Sequence, residues 1–304
     1  MIHFGMEFVD TLLKRFDGES ELRKAVSALV CFSAPETGKK LAQLTFQMAM
    51  TRSEGSSIAL LYFIDRQQEN LPQEEISRIQ SNISSDFTPK TEKEKITLRT
   101  FISDEEDHMA QIEKMIEEQG SNLLIRGISS RELNIYQVEH YSLLRRDPAN
   151  PLQTILTQFP EKQALILQEL TAMMGNNKIP TALFVDNEMK ETGHIFLPLL
   201  CKSDIHLFTY LYHLAQLEQM EIMVWDAIGI IETEPKLQKL YQFIVKKSDG
   251  KVQLWDNDRK IDESFIQTQD LIMIGVEGWS RLTNTPLPWK EQLPSLLIIK
   301  DINR

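Results

Sequence analysis

The residues of this chain that could bind a metal, attack a carbonyl or move a proton are few and scattered. His206 and His213 lie seven apart, which on one helix puts them on the same face about two turns apart. Two imidazoles with no third donor at ligand spacing favour packing over coordination. Asp256-Asn-Asp-Arg-Lys260 opens like a calcium loop, but Lys260 stands at the third ligand position and no glycine follows, so a polar turn is expected. Asp104-Glu-Glu-Asp107 crowds carboxylates ahead of a helical pattern, where they cap free N–H groups and complement the helix dipole. Cys31 and Cys201 fall in or beside apolar runs, as buried free thiols of a reducing compartment do. There is no G-x-S-x-G, no Walker sequence and no His-rich run. With no candidate nucleophile or base, the chain is expected to be a regulatory or ligand-binding module and not an enzyme.

These residues sit in a chain of 304, 42% apolar and 25% charged, long enough for two ordinary domains that each bury a core. A formal charge of −11 excludes a nucleic-acid surface, which needs clustered Lys and Arg. No stretch approaches the ~20 apolar residues of a membrane span, so no part of the chain is expected to insert in a bilayer. A cytoplasmic location follows.

The elements that must position any site announce themselves as short apolar runs alternating with helical patterns. Ile179-Pro-Thr-Ala-Leu-Phe-Val-Asp186 has a near copy in Leu293-Pro-Ser-Leu-Leu-Ile-Ile-Lys300, each a proline-led strand after a helical segment. Before the first come strand patterns at Val26–Ser33, Ile58–Ile64, Ile96–Ile102 and Leu123–Gly127. Before the second come Ile195–Leu200, Met220–Asp226, Val252–Asp256 and Asp270–Gly275. Continuous apolar strands separated by helices predict parallel sheets covered on both faces. The fold class expected is α/β: two tandem doubly wound, five-stranded, mainly parallel sheets. Phe4, Phe8, Leu12 and Phe16 predict an amphipathic helix over 1–24. The first domain is expected over 25–188, with an insertion at about 129–160 where periodicity weakens, and the second over 189–304.

The order strand, helix, strand, helix, strand, helix, strand, helix, strand, given twice, resembles tandem universal stress protein domains. More narrowly it resembles the cytoplasmic C-terminal region of bacterial monovalent cation:proton antiporters. Leu29-Val-Cys-Phe-Ser-Ala-Pro-Glu-Thr-Gly38, Thr181–Asp186 and Ile195–Leu200 carry the resemblance, which extends from about residue 25 to the end. It implies an antiporter membrane domain as partner, attachment to the membrane through that transporter, and self-association into a homo-dimer.

Nucleotide binders of that family place G-x2-G-x9-G-[ST] after the fourth strand, because glycine lets backbone N–H groups approach phosphate oxygens. The second copy keeps Gly275 and Gly278 but has Pro288 and Trp289 where Gly and Ser or Thr belong. The first keeps Gly127, with Ser130 at the second glycine's place. The binders' Asp at the end of the first strand is here Ser33 or Leu200, and Glu277 would repel phosphate. No cofactor is therefore expected: ATP would meet a degraded loop in both copies, and Gly275 and Gly278 are expected to form a structural turn. The leading expectation is a non-catalytic regulatory or sensor module associated with a cation:proton antiporter. The alternative is a stand-alone tandem stress protein that binds a nucleotide or other small ligand beyond the carboxyl ends of its strands, where open α/β sheets hold ligands. The lining would be Ser33, Ala34, Gly127, Ser129 and Ser130 in the first copy, and Cys201, Lys202, Gly275, Gly278 and Ser280 in the second.

Overall fold

The computed structural model describes residues 24–52, 55–64, 73–85, 87, 93–129, 133, 160–175, 177–283, 289 and 293–301. The expected helix over 1–24, most of the insertion at 129–160, and Ser130 and Pro288 lie outside them. The described elements run β1 (Ser27–Phe32), α1 (Pro35–Met50), β2 (Ser57–Phe63), α2 (Gln73–Ser84), β3 (Thr97–Ser103), α3 (His108–Gln119), β4 (Leu123–Ile128), α4 (Pro160–Met174) and β5 (Thr181–Val185). They continue β6 (His194–Leu199), a 3-10 turn (Lys202–His206), α5 (Leu207–Leu214), β7 (Glu221–Asp226), α6 (Ile230–Thr233), α7 (Pro235–Lys247), β8 (Val252–Leu254), α8 (Glu263–Gln267), β9 (Leu271–Gly275), α9 (Val276–Thr283) and β10 (Ser295–Lys300).

By contacts the chain forms two compact units, the first holding described residues of 24–128 and 177–184, the second those of 129–176 and 185–300. The first has strand order β3-β2-β1-β4-β5 and the second β8-β7-β6-β9-β10, so position for position the order is the same. The ladders β1–β2, β1–β4, β2–β3, β6–β7, β6–β9, β7–β8 and β9–β10 are all parallel. A domain boundary at 188 follows chain order, whereas the contacts do not. Helix α4 leads into β5 in sequence, yet it packs on α9 and belongs with the second unit.

Burial explains the continuous apolar runs. Leu29 and Cys31 of β1 join Leu61, Phe63, Leu124, Ile112 and Met115 in one core layer. Ala28, Val30 and Phe32 alternate to the other face, and all are buried. Such a strand has no polar side to show. Helix ends are set as the sequence indicates: Asp107 Oδ1 accepts from Ala110 N at 3.0 Å to cap α3, and Gly120, left-handed at φ 58°, closes it. Asp256 forms the expected polar turn, its side chain taking Asp258 N at 3.0 Å. Among the described residues no helix is long and apolar enough to cross a membrane.

One strand has a defect that matters for the site. Pro198 sits inside β6 and has no N–H to give. It still pairs in register with Trp225 of β7, but the β6–β9 ladder runs only through Ile195↔Leu271 and Phe196↔Ile272. The carboxyl ends of β6 and β9 are thereby released from one another.

Candidate functional site

In a doubly wound sheet the ligand crevice lies where connections leave in opposite directions. Here that is between the carboxyl ends of β1 and β4, and of β6 and β9. The predicted lining does gather at these places. Ser33 and Ala34 follow β1, Gly127 is in β4 and Ser129 follows it; Cys201 and Lys202 follow β6, Gly275 ends β9, and Gly278 and Ser280 lie in α9.

In the first unit the glycines serve helix packing. A Cβ on Gly127 would stand 2.9 Å from Thr37 Cγ2, and one on Gly38 would stand 2.3 Å from the Phe32 ring. Helix α1 is thus pressed onto β1 and β4 through two glycines, and Phe32, stacked on Tyr62 at 5.7 Å between centroids, fills the floor. Ser33, Ala34 and Ser129 remain exposed at the rim. Helix α1 starts at Ala34 with no side-chain cap.

In the second unit the crevice is filled by the chain's own carboxylate. After Cys201 the chain turns into the 3-10 segment and drops Asp204 inward, fully buried. Asp204 Oδ2 accepts from Leu200 N at 2.8 Å and from Cys201 N at 2.9 Å. A Cβ on Gly275 would lie 2.3 Å from Asp204 Oδ1, and one on Gly278 2.6 Å from Oδ2. Both glycines therefore exist to admit this side chain. The expectation of a structural turn is corrected on this point: neither has positive φ, and the requirement is close approach, not backbone reversal.

Neighbouring groups extend the arrangement. Ser203 donates to Glu277 Oε2 and meets Cys201 Sγ at 2.7 Å, and its carbonyl takes His206 Nδ1 at 2.6 Å. Arg281 Nη1 donates to Leu200 O at 2.9 Å. Lys202 turns outward to Glu234 at 3.8 Å, and Ser280 Oγ donates to Glu277 O at 2.8 Å within α9. Burial holds the Asp204 carboxyl above the usual carboxylate range, against the opposing effects of its backbone bonds and of His206. Burial likewise pushes the Cys201 and Cys31 thiols up, and both are free and buried. Trp289, which stands where the binders' loop has Ser or Thr, is buried.

His206 closes the 3-10 turn while His213 lies in α5, so they do not share one helix as their spacing suggests. Among the described residues no three His, Cys, Asp or Glu side chains are grouped to hold a metal. Asp204 is the residue that sequence reasoning passed over, and His206 was weighed only with His213, as a packing imidazole. The one available signal was Asp204 at the third position after Cys201, a capping-box spacing that the structure realises.

No protein-family profile matches the sequence, and no curated protein matches it. Two solved structures of similar course are the cytoplasmic domain of a prokaryotic cation chloride cotransporter, at 12% identity and TM-score 0.48, and a universal stress protein from Archaeoglobus fulgidus DSM 4304, at 11% and 0.43. The first likeness covers 91% of this chain and 96% of that one, the second 92% and 98%.

Proposed function

We propose that the chain is a non-catalytic regulatory or sensor module that works beside the membrane domain of a monovalent cation:proton antiporter, with no nucleotide bound in its second unit. The observation that supports the absence of nucleotide is Asp204 seated between Gly275 and Gly278. A phosphate oxygen needs converging N–H groups and an open approach. Here the approach is taken by a carboxylate that already holds two of the nearest N–H groups, and Glu277 adds a second negative charge at the rim. Calorimetric titration with ATP, ADP and AMP tests the nucleotide part: no heat is expected, and micromolar affinity traced to the second unit by loss in a Gly278→Trp variant would overturn it. The regulatory part is tested by cation-driven proton flux in vesicles carrying a monovalent cation:proton antiporter. Flux is expected to change when the chain is added, and identical flux with and without it would overturn the reading.

A second reading, a stress-type protein binding a small ligand at the first unit's mouth, is favoured by the uncapped start of α1 between exposed Ser33 and Ser129. Nucleotide binding abolished by Ser33→Glu would support it.

A further inference from the structure

Among the polar atoms of the second unit that are sealed from water and have no hydrogen-bond partner in the described residues are Asp204 Oδ1 and His206 Nε2. They belong to one turn of chain and face one place. The point where a Cβ on Gly275 would stand is 2.3 Å from Asp204 Oδ1 and 3.1 Å from His206 Cε1, the ring atom bonded to Nε2. The hydrogen positions follow from the partners. His206 Nδ1 lies 2.6 Å from the Ser203 carbonyl; a carbonyl only accepts, so Nδ1 carries the hydrogen and a neutral ring leaves Nε2 a bare acceptor. A carboxylate oxygen is also an acceptor. Two acceptors without a donor are thus enclosed around one glycine, and buried groups of that kind are rare in folded proteins.

We propose that Asp204 and His206 form one proton-binding device, in which a single proton taken up between Asp204 Oδ1 and His206 Nε2 joins the two side chains across Gly275. One proton satisfies both atoms and cancels the buried negative charge, whichever of the two it sits on. In the structure the two atoms are not yet bonded. Loading therefore draws His206 toward Asp204 and moves the 3-10 turn and the start of α5 against β9 and α9.

The other titratable and charged groups around the pair are few. On the 3-10 turn, Cys201 stays a thiol because burial raises it, and Lys202 is turned to Glu234. From α9 come Glu277, which accepts from Ser203, and Arg281, which donates to Leu200 O. From α5 comes the buried His213. Since Ser203 donates to Glu277, the Cys201 thiol donates to Ser203. This hydrogen-bonded line runs from half-buried Glu277 inward to the thiol of Cys201, the residue whose N–H holds Asp204. The device belongs to the second unit alone and holds whichever partner the chain serves.

The test is NMR titration of the full-length, ¹⁵N,¹³C-labelled chain, following the amides of Leu200 and Cys201 and the Cε1–H of His206. Wild type is expected to show one pH step shared by all three probes. Asp204→Asn should remove that step from the amides. His206→Gln should weaken loading by about tenfold or more, moving the step to lower pH, as expected of sites that interact by more than about one pK unit. Amides unresponsive over the pH range in which wild type stays folded, or a step unmoved in His206→Gln, would overturn the proposal. If Asp204→Asn fails to fold, those two comparisons still decide.

Discussion

Gly275→Ala separates a glycine kept for a carboxylate from one kept for the backbone. A methyl there would come to 2.3 Å from Asp204 Oδ1 with His206 Cε1 at 3.1 Å, in a site with no exposed surface. The carboxylate must withdraw by roughly 1 Å to reach ordinary contact, which stretches its 2.8 and 2.9 Å bonds to Leu200 N and Cys201 N. Overpacking of this kind costs about 1–3 kcal/mol, and weakening bonds to a charged acceptor adds about 1 kcal/mol or more. The expected loss is about 3 kcal/mol, or roughly 6–12 °C in Tm for a unit of this size. The decisive comparison is a double-mutant cycle with Asp204→Ala, read by urea unfolding followed through the fluorescence of buried Trp279. Without the carboxylate the new methyl has room, so the cost of Gly275→Ala should fall below about 1 kcal/mol, a coupling of about 2 kcal/mol. Equal costs in the two backgrounds would refute the assignment of Gly275 to Asp204.

Stability should also depend on pH through Asp204. Because its folded-state carboxyl is raised by burial, its contribution is full below the unfolded value and lost as pH rises through the folded one. Asp204→Asn, which keeps an acceptor for Leu200 N and Cys201 N, should therefore gain on wild type over that window and hold the gain above it; denaturant unfolding at stepped pH checks this, and a gain that shrinks with pH contradicts it. In the first unit, Gly38→Ala drives a methyl into the Phe32 ring and should cost about 1–3 kcal/mol, recovered in part by Phe32→Leu in the same unfolding assay. Asp107→Ala should cost about 1 kcal/mol through the lost α3 cap, visible as faster hydrogen exchange at Ala110. Cys31 and Cys201 should resist a thiol reagent in native buffer and react together on unfolding; rapid native labelling of either would contradict their burial.

The sheets were legible because a parallel strand buried on both faces has to be apolar nearly throughout, and the run Leu271–Gly275 is so. Helix limits were legible wherever one residue sets them, as Asp107 does through its side chain and Gly120 through its left-handed backbone. The spacing Gly275-x-x-Gly278 was visible, but its reason was not. The side chain that needs those glycines lies some seventy residues earlier in a stretch that looks like any polar loop, and only the fold brings them together. The interruption at Pro198 was equally hidden, since one proline in an apolar run does not say which of its two neighbours loses the ladder. Nor does the periodicity of α4 say which sheet it covers.

That last point bears on how the chain is made. Leu170 and Met174 of α4 are buried, but α9, the helix that α4 packs on, begins only at Val276. At translation rates of about 5–20 residues per second, α4 is complete for roughly 5–20 s before α9 exists. During that interval the nascent chain carries a finished amphipathic helix whose apolar side has no native mate, while the first unit can already close around β5. A ribosome-bound chaperone, or slow codons after Met174, would find in this helix the interval in which the protein is most exposed to misassembly.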